Sequence, residues 1–374
     1  MHRFRSSNYP VFLIYAILIS EMLSSSVILV LSSLTLSAQA YNVLIIGGTR
    51  FSGASLWKEL HSRKHSITVY NRGKTSPKPV TRESDAEFQE RISSATYLKG
   101  DRGDADQLKS LIDPSKYDYV FDMNARELPD VAPLAEIFLG KSNLKQYVFM
   151  SSAGVYKKSD EMPHLEINEV DPKSRHKGKL DCEQKLASLG LPWCSFRPTY
   201  ICGPQNYNPV ERYFFERVTA GRPVCIPGHG QHLTGLGHVE DLAVAMANVI
   251  GREHRTTGNV YNVQNTQAIT FDGVAKAAAK AAGLDPSKVE ILHYDPKLVT
   301  FPEGAKGFPM RPQHFFTGIH KAIKDLDWAP KYDTVDAIFK DSYVNDFVLL
   351  KESGKLKSDF TCDDIVINSA KVLA

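Results

Sequence analysis

Cationic side chains crowd two short stretches of this 374-residue chain: Lys157 and Lys158, then Lys173, Arg175, His176, Lys177 and Lys179. Such groups neutralise phosphodiester oxygens, so a groove lined with them attracts nucleic acid by counterion release. His176 lies between two cations, which should lower its pKa and leave a neutral ring able to act as a base. Together with Lys179 it could assist attack by a ribose 2′-hydroxyl. A metal-assisted route would draw on Asp101, Asp122, Asp160, Glu161 or Glu169, but no spacing selects a pair, and the metal ligands stay unassigned. His164, His232 and His238 are further acid–base candidates.

A second constellation is Val43–Gly53. Four apolar residues, a buried strand, run into Gly47-Gly48-Thr49-Arg50-Phe51-Ser52-Gly53, and a helix follows from near Ala54. This is the opening of a dinucleotide-binding βαβ unit: Gly47 permits the tight turn and Gly53 the close packing of helix on strand. Arg50 stands where a middle glycine lets the backbone approach a pyrophosphate, so its guanidinium either binds a phosphate or blocks that approach. Gly47, Gly48, Thr49, Arg50, Phe51 and Gly53 are the cofactor-loop candidates. A second strand, Ile67–Tyr70, ends in Asn71 and Arg72 instead of the carboxylate that holds ribose hydroxyls in NAD sites. Arg72 suits a 2′-phosphate, which favours NADP over NAD at a weakened site. Asp101 follows the third strand and is placed to contact adenine.

The elements that must position these groups alternate. Strands are expected at Ala95–Lys99, Tyr119–Met123, Gln146–Met150 and Trp193–Phe196, with helical patterns at Leu56–Arg63, Leu108–Ile112, Val131–Phe138 and Leu180–Leu189. That order specifies an α/β fold, a Rossmann-like doubly wound parallel sheet. The polar, Pro-containing run Lys74–Arg91 reads as a surface excursion. From Gly203 to Gly237, Gly, Pro, His and aromatics cluster, as in a smaller C-terminal substrate-binding lobe. The expected organisation is a leader over 1–40, the dinucleotide-type domain over 41–203, the smaller lobe over 204–345 interleaved with the last sheet elements, and a tail over 346–374.

Hydrophobic residues make up 43% and charged residues 23% of the chain, which excludes a disordered protein. The net charge of +3 is too mild to imply nucleic acid by itself, so a local patch must carry that claim. The five cysteines, Cys182, Cys194, Cys202, Cys225 and Cys362, show no metal-ligand spacing and form no disulfide framework. At the N-terminus, Arg3 and Arg5 precede apolar runs, and Ser37-Ala38-Gln39-Ala40 offers a cleavage site, as in a secretory-type signal peptide.

Several motifs together resemble the extended short-chain dehydrogenases/reductases of the sugar-nucleotide epimerase type: Ser151–Tyr156, Arg197–Pro204, His238–Ala243, Tyr261-Asn262-Val263 and Leu326–Pro330. The resemblance covers about Asn42–Tyr343. Within it, Gly47–Phe51, Ser151–Asp160, Asp171–Leu180, Asn206–Arg222, Gln313–Phe316 and the tail Asp359–Val366 resemble the chloroplast stem-loop-binding proteins of the b type. That family implies plastid location, binding to structured RNA including ribosomal RNA, association with ribosomal or transcription complexes, and a Mg²⁺-dependent endoribonuclease activity in RNA processing. Two features depart from it. Ser52 replaces the usual Ile, and the leader, with Tyr41 after its Ala-x-Ala site, is more similar to leaders of algae with secondary plastids.

In the superfamily, a Ser, a Tyr and a Lys four residues later carry proton transfer. Ser152 and Lys179 hold two of these positions, but the Tyr position is Arg175, which cannot exchange a proton near neutral pH. The two cationic stretches should meet at this former active site, with Arg50 facing the same crevice. Lys157, Lys158, Lys173, Arg175 and Lys177 are then the RNA-contact candidates, and His176, Lys179 and Ser152 the catalytic ones, with Lys179 also a cofactor contact. Tyr207, Tyr213, Phe214, Phe215, Phe315 and Phe316 could stack unpaired bases. The expected function is plastid RNA binding, with or without cleavage. The alternatives are an NADP-dependent sugar-nucleotide epimerase, dehydratase or reductase, and a non-catalytic RNA-protecting scaffold assembled with itself or a paralogue. No DNA specificity is expected.

Overall fold

The computed structural model describes residues 39–140, 143–305 and 307–373. The leader reading falls on residues outside this set. Tyr41–Ala374 form one compact unit. Strands β1 (Asn42–Ile46), β2 (Ser66–Asn71), β3 (Thr96–Lys99), β4 (Tyr119–Asp122), β5 (Gln146–Met150), β6 (Trp193–Pro198) and β10 (Asn259–Val263) make a seven-stranded sheet in the order β10-β6-β5-β4-β1-β2-β3. Every pairing in it is parallel. The order reverses between β1 and β4, and the crevice at that reversal is where ligands bind in doubly wound sheets.

Helices cover both faces. Helix α1 (Phe51–Ser62) buries Leu56, Trp57 and Leu60 at the spacing of a single helical stripe. On the other face α3 (Ala105–Leu111), α4 (Leu128–Ile137) and α5 (Lys177–Ser188) pack Leu108, Leu134 and Leu186 against Tyr147 and Phe149. The central strands are apolar throughout because both faces are covered. The sheet's exposed edge is β3, whose burial is slight.

Strands β7 (Tyr200–Cys202), β9 (Leu233–His238) and β11 (Ala268–Thr270) form a three-stranded sheet, and β8 (Val224–Pro227) pairs with β12 (Ile291–Tyr294). A second core, built on Phe214, Phe271 and Phe339, lies here, between α6 (Val210–Thr219), α7 (Phe271–Ala281) and α8 (Val335–Ser342). Two sequence expectations shift. The first helix begins at Phe51 instead of Ala54, because the glycine turn closes within Gly47–Arg50. The surface excursion contains a helix, α2 (Asp85–Ser93), started by a capping box between Ser84 and Glu87. All five cysteines are buried free thiols. Among the described residues, no helix is long and apolar enough to cross a membrane.

Candidate functional site

The turn after β1 works as its glycines dictate. Gly47 adopts φ +86°, and a Cβ there would stand 2.9 Å from Asn124 Cγ. A Cβ on Gly53 would lie 2.2 Å from the Gly47 carbonyl oxygen, so only glycine lets α1 approach the turn. Phe51 holds φ +40°, a strained conformation for a bulky residue. The loop opens into a cavity of about 540 Å³. Gly47, Thr49, Arg50, Gly53, Arg72 and Asp101 line it, joined by Lys74, Arg102, Arg126 and Tyr207. Gly48, Phe51 and Lys179 do not.

Beneath the cavity, Arg102 turns inward. It donates to both carboxylate oxygens of Asp122 at 2.9 and 2.7 Å and to the Asp130 carbonyl at 2.6 Å. Burial would push the Asp122 pKa up, but Arg102 outweighs it and the net shift is downward. Tyr147 completes the network with a 3.0 Å hydrogen bond to Asp122. Asp122 is thereby a structural counter-ion, which removes it from the metal candidates. Among the described residues, no group of three or more His, Cys, Asp or Glu is placed to hold a metal ion.

The former proton-transfer centre, Ser152, Arg175 and Lys179, is not among the residues that line this cavity. The segment Ala125–Glu127 explains part of the arrangement around it. Gly178, in the first turn of α5, lets that helix approach the Arg126 carbonyl, to which a Cβ would lie at 2.4 Å. Lys179 then buries its ammonium against the carbonyls of Ala125 and Met150, each at 2.5 Å. Burial lowers its pKa to about 8, with Asp122 opposing. Ser152 is committed locally, accepting the Gly154 N–H at 3.0 Å to start a short 3₁₀ turn.

Around Gly154 three cationic or potentially cationic groups converge. Arg175 Nε donates to His176 Nε2 at 3.2 Å, and Arg311 reaches the Gly154 carbonyl at 3.4 Å. A Cβ on Gly154 would meet Arg311 Nη2 at 2.5 Å and His176 Cδ2 at 2.7 Å. Burial, then Arg311 and Arg175, push the His176 pKa down to about 4. Arg311 also lies over the Phe315 ring, 4.8 Å from its centroid, and among the described residues it forms no salt bridge. Arg311 comes from a distant segment with no motif of spacing, and it was absent from the sequence candidates, as were Lys74, Arg102 and Arg126.

The lysines are less available than their spacing implied. Lys157 pairs with Glu169 at 2.6 Å and Lys177 with Asp181 at 2.5 Å, one helical turn on. Lys158, Lys173 and Arg175 are exposed. The expected stacking aromatics are also corrected: Tyr213, Phe214, Phe215 and Phe315 are core residues, and Tyr207 is 61% exposed. His238 bonds Asp341 at 3.0 Å and stacks on Tyr332, and His164 is buried against Tyr156, so both are structural. His232 lies among His229 and His314 in the β8–β9 region, with ring centroids 4.5 and 5.4 Å away.

Residues 43–263 match the NAD dependent epimerase/dehydratase family, and the chain belongs to it. Over 332 residues, 88% of this chain and 85% of the relative, it is 45% identical to the chloroplast stem-loop binding protein of 41 kDa b of Arabidopsis thaliana. Among solved structures it is similar to UDP-N-acetylglucosamine 4-epimerase from Methanobrevibacter ruminantium M1 (20% identity, 83% of this chain, 99% of that one, TM-score 0.66). It is also similar to UDP-glucuronic acid 4-epimerase from Bacillus cereus in complex with NAD (16% identity, 82% and 99%, TM-score 0.63). These structures establish the Rossmann-like fold. The family carries a nucleotide cofactor site, and the glycine cradle and the cavity fit a nucleotide phosphate. Arg175 stands four residues before Lys179, whose ammonium donates to two backbone carbonyls.

Proposed function

We propose that this protein binds structured RNA in plastids, using the altered dehydrogenase cleft as a groove for phosphates. The observation that carries this is the Arg175–His176–Arg311 group around Gly154, where His176 takes a hydrogen bond from one guanidinium and packs on the same glycine as a second. A phosphodiester oxygen is the natural counter-charge for such a pair. The name of the 45%-identical relative supports both the RNA class and the plastid location. Cleavage is the less supported half of the expectation. A histidine with a pKa near 4 is a weak base at neutral pH, and Lys179 has its ammonium against backbone. Partners in ribosomal or transcription complexes, and assembly with a paralogue, follow only from the stem-loop-binding resemblance.

The test is equilibrium binding of a labelled RNA stem-loop across a salt series, with and without Mg²⁺. Arg175→Ala with Arg311→Ala should weaken binding and reduce the salt slope by about 1 for each phosphate that is no longer neutralised. An unchanged slope would remove the groove from the account. Mg²⁺-dependent cutting by protein free of contaminating nuclease would restore the endoribonuclease reading. A second reading, an NADP-dependent sugar-nucleotide enzyme, is favoured by Arg72 and Asp101 lining the cavity together. It requires measurable NADP⁺ binding.

A further inference from the structure

Arg50 and Tyr207 meet across the mouth of the cavity. The guanidinium carbon lies 4.7 Å from the tyrosine ring centroid. Phe51 supports the ring from the side, at 6.2 Å between centroids and 85° between planes. A single exposed tyrosine on a surface needs no explanation. Here three things coincide. Of the aromatics that the sequence offered for stacking, Tyr207 is the one left largely exposed, at 61%, while four others are buried in core. It lines a cavity whose wall also carries Arg50, Arg72, Lys74 and Arg126. The backbone beside its partner takes the left-handed conformation at Phe51, φ +40°, which is uncommon for a bulky residue.

We infer that the Arg50–Tyr207 pair is a stacking subsite for an unpaired nucleobase, with the cavity cations taking the flanking phosphates. This rests on the proposed RNA-binding reading and names the part of the RNA that the cavity receives. A planar base gains dispersion and electrostatic contact on a tyrosine face or a guanidinium plane, whatever its sequence. One aromatic at a cavity mouth can reach only a base that has left its stack, so the ligand is a loop or bulge nucleotide and not a duplex. The Arg175–Arg311 groove would then hold a different stretch of the backbone. Arg50, standing where a glycine would admit pyrophosphate, thereby has a function of its own.

The experiment uses the full chain and two labelled RNA hairpins with the same stem, one with a natural loop and one whose loop is abasic. Tyr207→Leu should weaken the natural hairpin about tenfold and leave the abasic one unchanged, with the salt slope unaltered. Tyr207→Trp should retain or improve binding. Arg175→Ala with Arg311→Ala should weaken both hairpins alike and lower the slope. If Tyr207→Leu binds the natural hairpin as the wild type does while the arginine variant still fails, the stacking subsite is wrong and the phosphate groove stands. If Tyr207→Leu changes only NADP⁺ binding, the cavity is a cofactor site and the inference is overturned. If the wild type binds neither hairpin, the RNA reading falls and takes the subsite with it.

Discussion

Arg175 Nε donates to His176 Nε2 at 3.2 Å, so that ring nitrogen must be unprotonated in the free protein. With its folded pKa lowered to about 4 from 6.5, His176 stays neutral where the unfolded chain would take up a proton. The unfolded state therefore binds more protons between about pH 6.5 and 4, and stability falls as pH drops through that window. The ring is partly buried, so solvent screening reduces the effect to roughly 1–2 kcal/mol. Urea unfolding at pH 7 and pH 4.5 should show that loss in the wild type and a smaller one in His176→Asn.

Phosphate brought against the same group would weaken that preference by offsetting the arginines, the burial cost remaining. An anion between Arg175 and Arg311 offsets their repulsion of a proton on His176, so RNA binding should take up a proton. Affinity for a stem-loop should rise several-fold from pH 7 to pH 5.5, and the rise should vanish in His176→Asn. Equal pH dependence in the two proteins would place the phosphate elsewhere.

Restoring the tyrosine should not restore the chemistry. Arg175→Tyr rebuilds a Tyr-x-x-x-Lys spacing, but Lys179 donates to the Ala125 and Met150 carbonyls at 2.5 Å and is buried there. A tyrosine is activated only if such a lysine lies beside it and the nicotinamide ribose. The expected result is no turnover of NADP⁺ with UDP-glucose, followed by the absorbance of reduced nicotinamide. Turnover would show that Lys179 leaves its carbonyls readily.

The sheet was readable because its central strands are buried on both faces and so appear as unbroken apolar runs between helical patterns. The capping box at Ser84 and Glu87 was equally visible in sequence but lay hidden in a stretch read as polar excursion. For the site, Arg175 and His176 were legible from a motif that one residue breaks. The Lys177–Asp181 pair is legible too, since side chains one turn apart on a helix are neighbours, and it offsets part of that lysine's charge. Arg311 and Arg102 were not legible. One is brought to Gly154 by tertiary packing alone, and the other looks like a loop cation until Asp122 is seen to draw it inward.

Gly53→Ala should be far costlier than a glycine change at an open turn. The new Cβ would stand 2.2 Å from the Gly47 carbonyl oxygen and 3.1 Å from Gly48 Cα, both backbone atoms that cannot rotate away. Overpacking of this kind costs about 1–3 kcal/mol or more. Gly103→Ala is the control: it needs no left-handed backbone, and its new Cβ would meet only Asp101 Oδ1 at 3.5 Å, an ordinary contact. Thermal melts of the two variants should separate clearly, and the Gly53 variant should also lose whatever nucleotide binding the cavity has.

The C-terminal segment is held by a buried ion pair, and its removal should cost most of all. Arg217 on α6 donates through Nη2 to Asp363 at 2.6 Å and through Nε at 3.2 Å, while its guanidinium lies 3.5 Å from the Tyr213 ring centroid. Both charged side chains are only 2% exposed. Asp363→Ala leaves the buried guanidinium with only Glu216 Oε2, at 3.6 Å, as a counter-charge, and should cost up to about 3–5 kcal/mol. Replacing both partners with apolar residues, Arg217→Met with Asp363→Leu, removes that pair and its desolvation together and should recover most of the single variant's loss, the remainder being the Glu216 contact. The contrast between single and double variants in urea unfolding separates an ion-pair latch from simple packing. If the double variant is as damaged as the single, the tail is held by shape at Phe360 and Cys362, and the charges matter little.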